Sequence, residues 1–475
     1  MLEFTCDAQK TGKQIPHSWK HTVGSGHAGL ALRDDWRKQL KKCHDELGFE
    51  HVRFHGILSA PLDTLTIQID KPRYSFYNAN NIMDFLLEIG MRPFVELSFM
   101  PRALSSGDKT VFEYEANVTP PRDYKDWATL IDKLVRNWVD RYGLAEVRQW
   151  YFEVWNEPNL ENFWTGGQQK YFQLYQVTAE TIKNIDAELH VGGPATAANS
   201  WISEFVSFCE KNNLPADFIS THQYPTDAFG EPGDDTVTQL SKSERSIMTT
   251  HAKEVVQQAA GKPIYYTEWS TSSNPRDSLH DQPFAAAFVV KTLMEACEHV
   301  QGYSYWTFSD IFDENFFPEK PFHGGFGMLT IDGIPKPVYR AYELLTQLGS
   351  ERLEVQGSHG TVDAWAWRSK HGVQLVLTNH ALPKHPIESH EVKFTLKNFT
   401  PPKSAWTARI DEEHANPLRL WEAMGEPTYL KPYQVERLIE ASSVTPAPQS
   451  WKQEGKDVVL HVTLPPHGVA IVTLE

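Results

Sequence analysis

The sequence predicts an α/β protein, with a (β/α)8 TIM barrel over residues 14–345 followed by an antiparallel β-sandwich over residues 346–475. Three observations carry that prediction. From about residue 14 to 345, short apolar β-type runs alternate with amphipathic helical stretches, which calls for a parallel sheet covered by helices. Eight such runs fall within roughly 330 residues, the number that closes a barrel with some long loops. Beyond residue 346 the runs become short alternating segments separated by Pro, Gly, His and Asn, the pattern of a sandwich. An open doubly wound sheet is the alternative that alternation alone leaves open.

The elements follow in order. LEFTCDA (2–8) is β-like and precedes the barrel, so residues 1–13 are expected to add a strand to the sandwich. The barrel strands are read at HTVGSG (21–26), EHVRFHGIL (50–58), RPFVELSF (92–99) and WYFEVWN (150–156). LHVGGP (189–194), DFISTHQY (217–224), PIYYTEW (263–269) and GYSYWTFSD (302–310) complete the set. The clearest helix is DYKDWATLIDKLVRNWVDRYG (123–143). Trp127, Leu130, Ile131, Leu134, Val135, Trp138, Val139 and Tyr142 form one apolar stripe along it, and Gly143 stands where a C-terminal cap belongs. A second stripe runs through Tyr171, Leu174, Tyr175, Thr178 and Ile182. VDAWAW, VQLVLTN, HEVKFTL, SAWTARI, DVVLHVTL and GVAIVTLE are the sandwich strands.

Composition narrows the function classes. With 40% hydrophobic and 22% charged residues, the chain has the makeup of a globular enzyme and not of a disordered one. A formal charge of −16 argues against nucleic acid, which needs a basic face. The four cysteines lack CxxC spacing, so neither a zinc site nor a disulfide framework is expected. The N-terminal MLEFTCDAQKTGKQIPHSW has no basic segment followed by an apolar one, and no run of 18 apolar residues occurs. A cytoplasmic protein without membrane contact is the expectation, which leaves the sequons at Asn117 and Asn398 without weight. Oligomeric state stays open between monomer and homo-oligomer.

The chemistry is concentrated at two strand ends. In WYFEVWNEPNLENFW, Asn156-Glu157-Pro158 closes the fourth strand, because proline cannot continue a central ladder. Barrel active sites lie at the C-terminal ends of strands, and the aromatics beside Glu157 can raise a carboxyl pKa by desolvation. Glu268 ends the seventh strand in PIYYTEWS, almost across the barrel. A glycosidase needs two carboxyl groups flanking the scissile bond, and this pair supplies them. A helix-capping Glu157 and an ion-paired structural Glu268 are the plainer readings of each residue alone.

These segments resemble a known family. WNEPNL with YTEWS resembles the retaining glycosidases that carry acid/base and nucleophile on strands four and seven. VRFHGILS (52–59), RPFVELSFMPRALSSG (92–107), VFEYEANVTPPRDY (111–124), SYWTFSDIF (304–312), FHGGFGM (322–328) and DEEHANP (411–417) narrow the resemblance. The chain is thereby identified as similar to glycoside hydrolase family 39, of β-xylosidase type. That resemblance implies Glu157 as general acid/base and Glu268 as nucleophile, about 5–5.5 Å apart, in a double displacement. It implies Asn156 on the sugar 2-hydroxyl, His55, His222 and Glu314 on other hydroxyls, Tyr224 holding Glu268, and Trp306 as a platform under the ring. Glu96 is read as structural.

No cofactor or metal is expected. Gly24-Ser25-Gly26-His27-Ala28-Gly29 matches a dinucleotide fingerprint, yet nothing else supports an oxidoreductase and it reads as the first barrel turn. Asp411-Glu412-Glu413-His414 are adjacent and cannot all converge on one ion without a special loop. THQYPTDAFG (221–230) has no basic residue and IFDENFFPEK (311–320) is acidic near its start, which favours a neutral sugar over a uronic acid. Arg53 and Arg102 are the basic residues able to approach the pocket. LSAPLDT (58–64) lacks the paired acids frequent after HG in this family, and Trp269 follows the nucleophile; both bear on aglycone preference. The expected substrate is a short xylo-oligosaccharide cut from its non-reducing end. An α-L-arabinosidase or other neutral-sugar hydrolase is the alternative, and a catalytically silent carbohydrate-binding protein a more remote one.

Overall fold

A computed structural model of the chain describes residues 1–59, 62, 64–68, 71–226, 234–314 and 316–475. The expectations attached to LSAPLDT, and to the end of THQYPTDAFG, therefore lie partly outside the described residues. Eight parallel strands close a barrel. They are β1 (Thr22–His27), β2 (His51–His55), β3 (Arg92–Leu97) and β4 (Tyr151–Val154), then β5 (His190–Thr196), β6 (Phe218–Gln223), β7 (Ile264–Trp269) and β8 (Gly302–Tyr305). Each coincides with a run read from the sequence. The open doubly wound sheet is excluded because β8 pairs with β1 at Tyr305↔Val23.

Helices cover the outside. Asp123 caps α1 (Tyr124–Tyr142), its carboxylate accepting from the Lys125 N–H at 2.8 Å, and Gly143 ends the helix with φ +84°. Trp127, Leu130, Ile131, Leu134, Val135 and Trp138 are buried from that stripe, while Val139 and Tyr142 lie half-buried at its edge. Each full burial contributes about 1.5–3 kcal/mol. Trp127 also donates its indole N–H to Thr178 Oγ1 at 2.8 Å, tying α1 to α2 (Gly167–Ile185).

The two ends of the barrel differ. At the N-terminal end Phe94, Tyr151, Phe218 and Tyr265 form an aromatic plug, with Phe94 and Tyr151 stacked at 5.0 Å. At the C-terminal end the ladder slips. Register shifts align His27 with His55 across β1 and β2, and His222 with Glu268 across β6 and β7. Irregular pairing of this kind re-aims side chains, and of these residues His55 and Glu268 line the cavity at this end.

Apart from two short two-stranded ribbons, the remaining strands among the described residues form two sheets of five and seven strands. The N-terminal strand Leu2–Asp7 lies within the five-stranded sheet, parallel to His390–Lys397 and antiparallel to Val355–Gln356. The sandwich is therefore not wholly antiparallel. Lys13–Gln14 pairs with Glu351–Leu353, so the strand joining the larger sheet crosses the boundary read at residue 14. Helices Pro417–Ala423 and Pro432–Ser442 interrupt a segment read as all β. Proline at the first turn of each favours helix initiation, and Trp421 and Leu438 bury against Phe322 and Ile334. Among the described residues, no helix is long and apolar enough to cross a membrane.

Candidate active site

The site is built in two layers. The lower layer consists of charged residues inside otherwise apolar strands: Arg53 on β2, Glu96 on β3 and Glu153 on β4, all with no exposure. Buried charges persist only when paired, and Arg53 supplies the pairing. Its Nε donates to Glu153 at 2.6 Å, Nη1 to Glu268 Oε1 at 2.7 Å, and Nη2 to Asn156 Oδ1 at 2.9 Å. Nη2 also lies 2.8 Å from Glu96 Oε2. One guanidinium thus fixes four residues from three segments of the barrel, β3, β4 with its end, and β7.

The upper layer borders a cavity of about 550 Å³ at the C-terminal barrel end. His55, Asn156, Glu157, Tyr224, Glu268, Trp306 and Glu314 all line it. Glu268 is held at both oxygens, by Arg53 at Oε1 and by the Tyr224 hydroxyl at Oε2, 2.9 Å away. Glu157 sits in the left-handed region at φ +42°, two residues after Trp155 at φ +72°. Non-glycine residues held there cost on the order of 1–3 kcal/mol each, strain of a kind that gathers at functional sites. Burial raises the Glu157 pKa to about 7, against the opposing charges of His55 and Arg53.

His55 contacts Glu96 Oε2 at 2.6 Å through Nδ1, while Nε2 faces Glu268 Oε1 at 3.5 Å and Glu314 Oε2 at 3.9 Å. Burial opposes its charge, but Glu96, Glu314 and Glu268 outweigh that and raise its pKa to about 9. Glu314 accepts from the Tyr114 hydroxyl at 3.2 Å, and burial raises its pKa to about 8. Glu96 lies beneath the cavity, bonded to His55, Arg53 and Ser98.

Trp306 forms one wall with Phe312, their rings perpendicular at 6.1 Å, and Phe326 packs beyond Phe312. Two glycines of the Gly24–Gly29 stretch explain this placement. A Cβ on Gly24 would stand 2.6 Å from Trp306 Cε3, and one on Gly26 would stand 2.8 Å from Phe312 Cδ2. Gly24 and Gly26 therefore clear β1 for the aromatic wall.

His222 departs from its expected position. It has no exposure and does not border the cavity; Nδ1 meets Glu157 Oε1 at 2.9 Å and Nε2 meets Thr267 Oγ1 at 3.2 Å. Both ring nitrogens are engaged by protein groups, so the ring addresses Glu157 and not a sugar hydroxyl. Burial lowers its pKa to about 4.

Several contributors escaped sequence reasoning: Arg53 as hub, Glu153, Thr267, Tyr114 and Phe312. The available signal was a charged residue inside an apolar strand run, as in VRFHG, FVELSF and YFEVW. Arg102 is exposed and pairs with Glu115, away from the cavity lining. Asp411 Oδ1 accepts from the backbone N–H groups of Glu413 and His414 and meets His414 Nδ1 at 2.7 Å, closing a turn. Among the described residues, the one cluster of three ligand-type groups is Glu157, His222 and Glu268, with atoms within 4.8 Å of one another. Arg53, Tyr224 and Thr267 occupy much of that cluster's bonding capacity, which suits a proton-handling carboxyl pair.

The sequence matches the family model for Glycosyl hydrolases family 39 over residues 2–458. It is 46% identical over 481 residues to a Beta-xylosidase of Caldicellulosiruptor saccharolyticus, covering 100% of this chain and 99% of that one. Identity to a Beta-xylosidase of Geobacillus stearothermophilus is 36% over 486 residues, covering 98% and 94%. Among solved structures, a monomeric beta-xylosidase from Caulobacter crescentus CB15 matches with TM-score 0.87 at 32% identity, covering 100% of this chain and 99% of that one. With a barrel that presents two carboxyls at the ends of β4 and β7, and with matches spanning nearly its whole length, the chain belongs to glycosyl hydrolase family 39.

Proposed function

We propose that this protein is a retaining exo-β-xylosidase that releases xylose from the non-reducing end of short xylo-oligosaccharides. The observation that carries the reading is the carboxyl pair: oxygens of Glu157 and Glu268 lie within 4.8 Å of each other. That oxygen-to-oxygen spacing is in keeping with the about 5–5.5 Å between the carboxyls of a retaining enzyme and short of the about 6.5–9.5 Å of an inverting one. Glu268, oriented by Arg53 and Tyr224, attacks the anomeric carbon. Glu157, protonated near neutral pH, protonates the departing oxygen. Once ionised, Glu157 removes a proton from the water that releases the sugar from Glu268.

The other contacts follow from free bonding capacity. Asn156 gives its carbonyl oxygen to Arg53, which leaves its amide hydrogens for the 2-hydroxyl. His55 and Glu314 face the cavity together and serve further hydroxyls, and Trp306 supplies an apolar face. No Lys or Arg lines the cavity among the described residues, which supports a neutral sugar over a uronic acid. The names of the relatives support xylose.

The deciding experiment is NMR of the anomer first formed from an aryl β-xyloside, run beside a panel of aryl glycosides. Retention with preference for the xyloside is expected. Inversion, or preference for an α-L-arabinoside, sinks the corresponding part of the reading.

A further inference from the structure

Beneath Glu157 runs a chain of hydrogen bonds whose protons can be counted. Glu153 Oε2 accepts from Arg53 Nε, and Glu153 Oε1 accepts from the Thr267 hydroxyl at 2.8 Å. Thr267 has a single hydroxyl hydrogen, and Glu153 takes it. Toward His222 Nε2, 3.2 Å away, Thr267 can therefore offer only lone pairs. Nε2 must carry the ring hydrogen. In the neutral imidazole Nδ1 then bears a lone pair, and it is Nδ1 that meets Glu157 Oε1 at 2.9 Å. A hydrogen bond across that gap requires the proton to belong to Glu157. Were Glu157 ionised, an anionic oxygen would confront a lone pair.

We infer that Thr267 and Glu153 are positioning residues that lock His222 in its Nε2–H tautomer, and that this lock keeps Glu157 protonated in the free enzyme. The inference rests on the proposed acid/base role of Glu157 for its catalytic meaning, though not for its geometry. Burial of His222, which holds the ring neutral near physiological pH, agrees with it. The titratable and charged groups facing Glu157 are the neutral His222 ring together with His55, Arg53 and Glu96. Glu268 stands beyond, 3.6 Å from His222 Nδ1. His55 and Arg53 favour the anion, so the lock adds to burial in opposing them.

Removing the lock should release the tautomer. In Thr267→Val the hydroxyl is gone, nothing fixes the hydrogen on Nε2, and an Nδ1–H can donate to ionised Glu157. Thr267→Ser keeps the hydroxyl. The test is kcat/KM against pH on an aryl β-xyloside for wild type and both variants. In Thr267→Val the basic limb is expected to move down by about one pH unit, so that activity above the limb falls on the order of tenfold. Thr267→Ser is expected to keep the wild-type limb. An unmoved limb in Thr267→Val, or equal shifts in both variants, overturns the inference. Nitrogen-15 NMR of His222 in the wild type gives an answer even if Thr267→Val does not fold: Nε2–H supports the lock, and Nδ1–H refutes it. The two readings fail separately, since turnover surviving in Glu157→Gln would remove the acid/base role while leaving the tautomer result intact.

Discussion

Single side chains in this barrel act mainly by deciding where protons and charges reside. Glu157 has its pKa raised to about 7 by burial, so kcat/KM should fall as pH rises through about 7, when the acid ionises. Glu157→Gln should lower kcat/KM on a substrate with a poor leaving group by about 10²–10⁴-fold and abolish that limb. A limb that persists in the variant assigns it to another group. The same shift bears on stability. The folded-state pKa lies above the ordinary 4.5, so the protonated form is favoured in the native state and stability falls as pH rises from about 4.5 to about 7. His55, raised to about 9, contributes stability fully present below about 6.5 and lost as pH rises through about 9. Melting temperature should therefore decline between pH 6.5 and 9 in the wild type, and less steeply in His55→Gln; parallel curves would refute the assignment.

At the scale of elements, what matters is which strand clears space for which ring. β1 passes so close to the aromatic wall that its glycines have no room for a methyl group. In Gly26→Ala the new Cβ must push Phe312, which is boxed in by Trp306 and Phe326 and has the cavity as its open side. The expected result is KM raised several-fold with kcat less affected, and recovery of KM when Phe312→Leu is added. A loss confined to kcat, or no recovery, would place the effect elsewhere. Helix α1 offers a simpler case, where Asp123→Ala removes the capping oxygen and should cost about 1 kcal/mol without changing KM. Thermal melts beside kinetics check both halves of that statement.

Across the whole molecule, the barrel and the sandwich are joined by polar contacts as well as by the chain. Arg245, in the barrel, donates to Asp363 and to the carbonyls of Thr361 and His380. Arg and Asp are about one-fifth exposed, so the pair falls between a surface bridge worth under about 1 kcal/mol and a buried one whose breaking costs about 3–5. Arg245→Ala should cost about 2 kcal/mol in denaturant unfolding, with KM unchanged. The N-terminal strand closes the same assembly, since Phe4 and Cys6 are buried in the sandwich core. Deletion of residues 1–10 should lower the melting temperature by stripping a strand from His390–Lys397; an unchanged melt would show that strand to be dispensable.

The sequence by itself determined the eight barrel strands, the helix stripes and the two strand-end carboxyls, because periodicity and strand termini are local properties of a chain. The family resemblance of the sequence implied Tyr224 as the residue poised to hold Glu268, and Glu96 was legible as structural from its place on a strand. Tertiary structure alone decided that Arg53 binds four partners, that His222 turns its ring to Glu157 and Thr267, and that Gly24 and Gly26 serve aromatic rings on a loop nearly 300 residues away. It also decided that the N-terminal strand runs parallel to its neighbour and that two helices interrupt the sandwich segment. The physical reason is that hydrogen-bond partnership and steric clearance are set between strands when the barrel closes. Sequence spacing places a side chain on a strand; only the register between strands says what it touches.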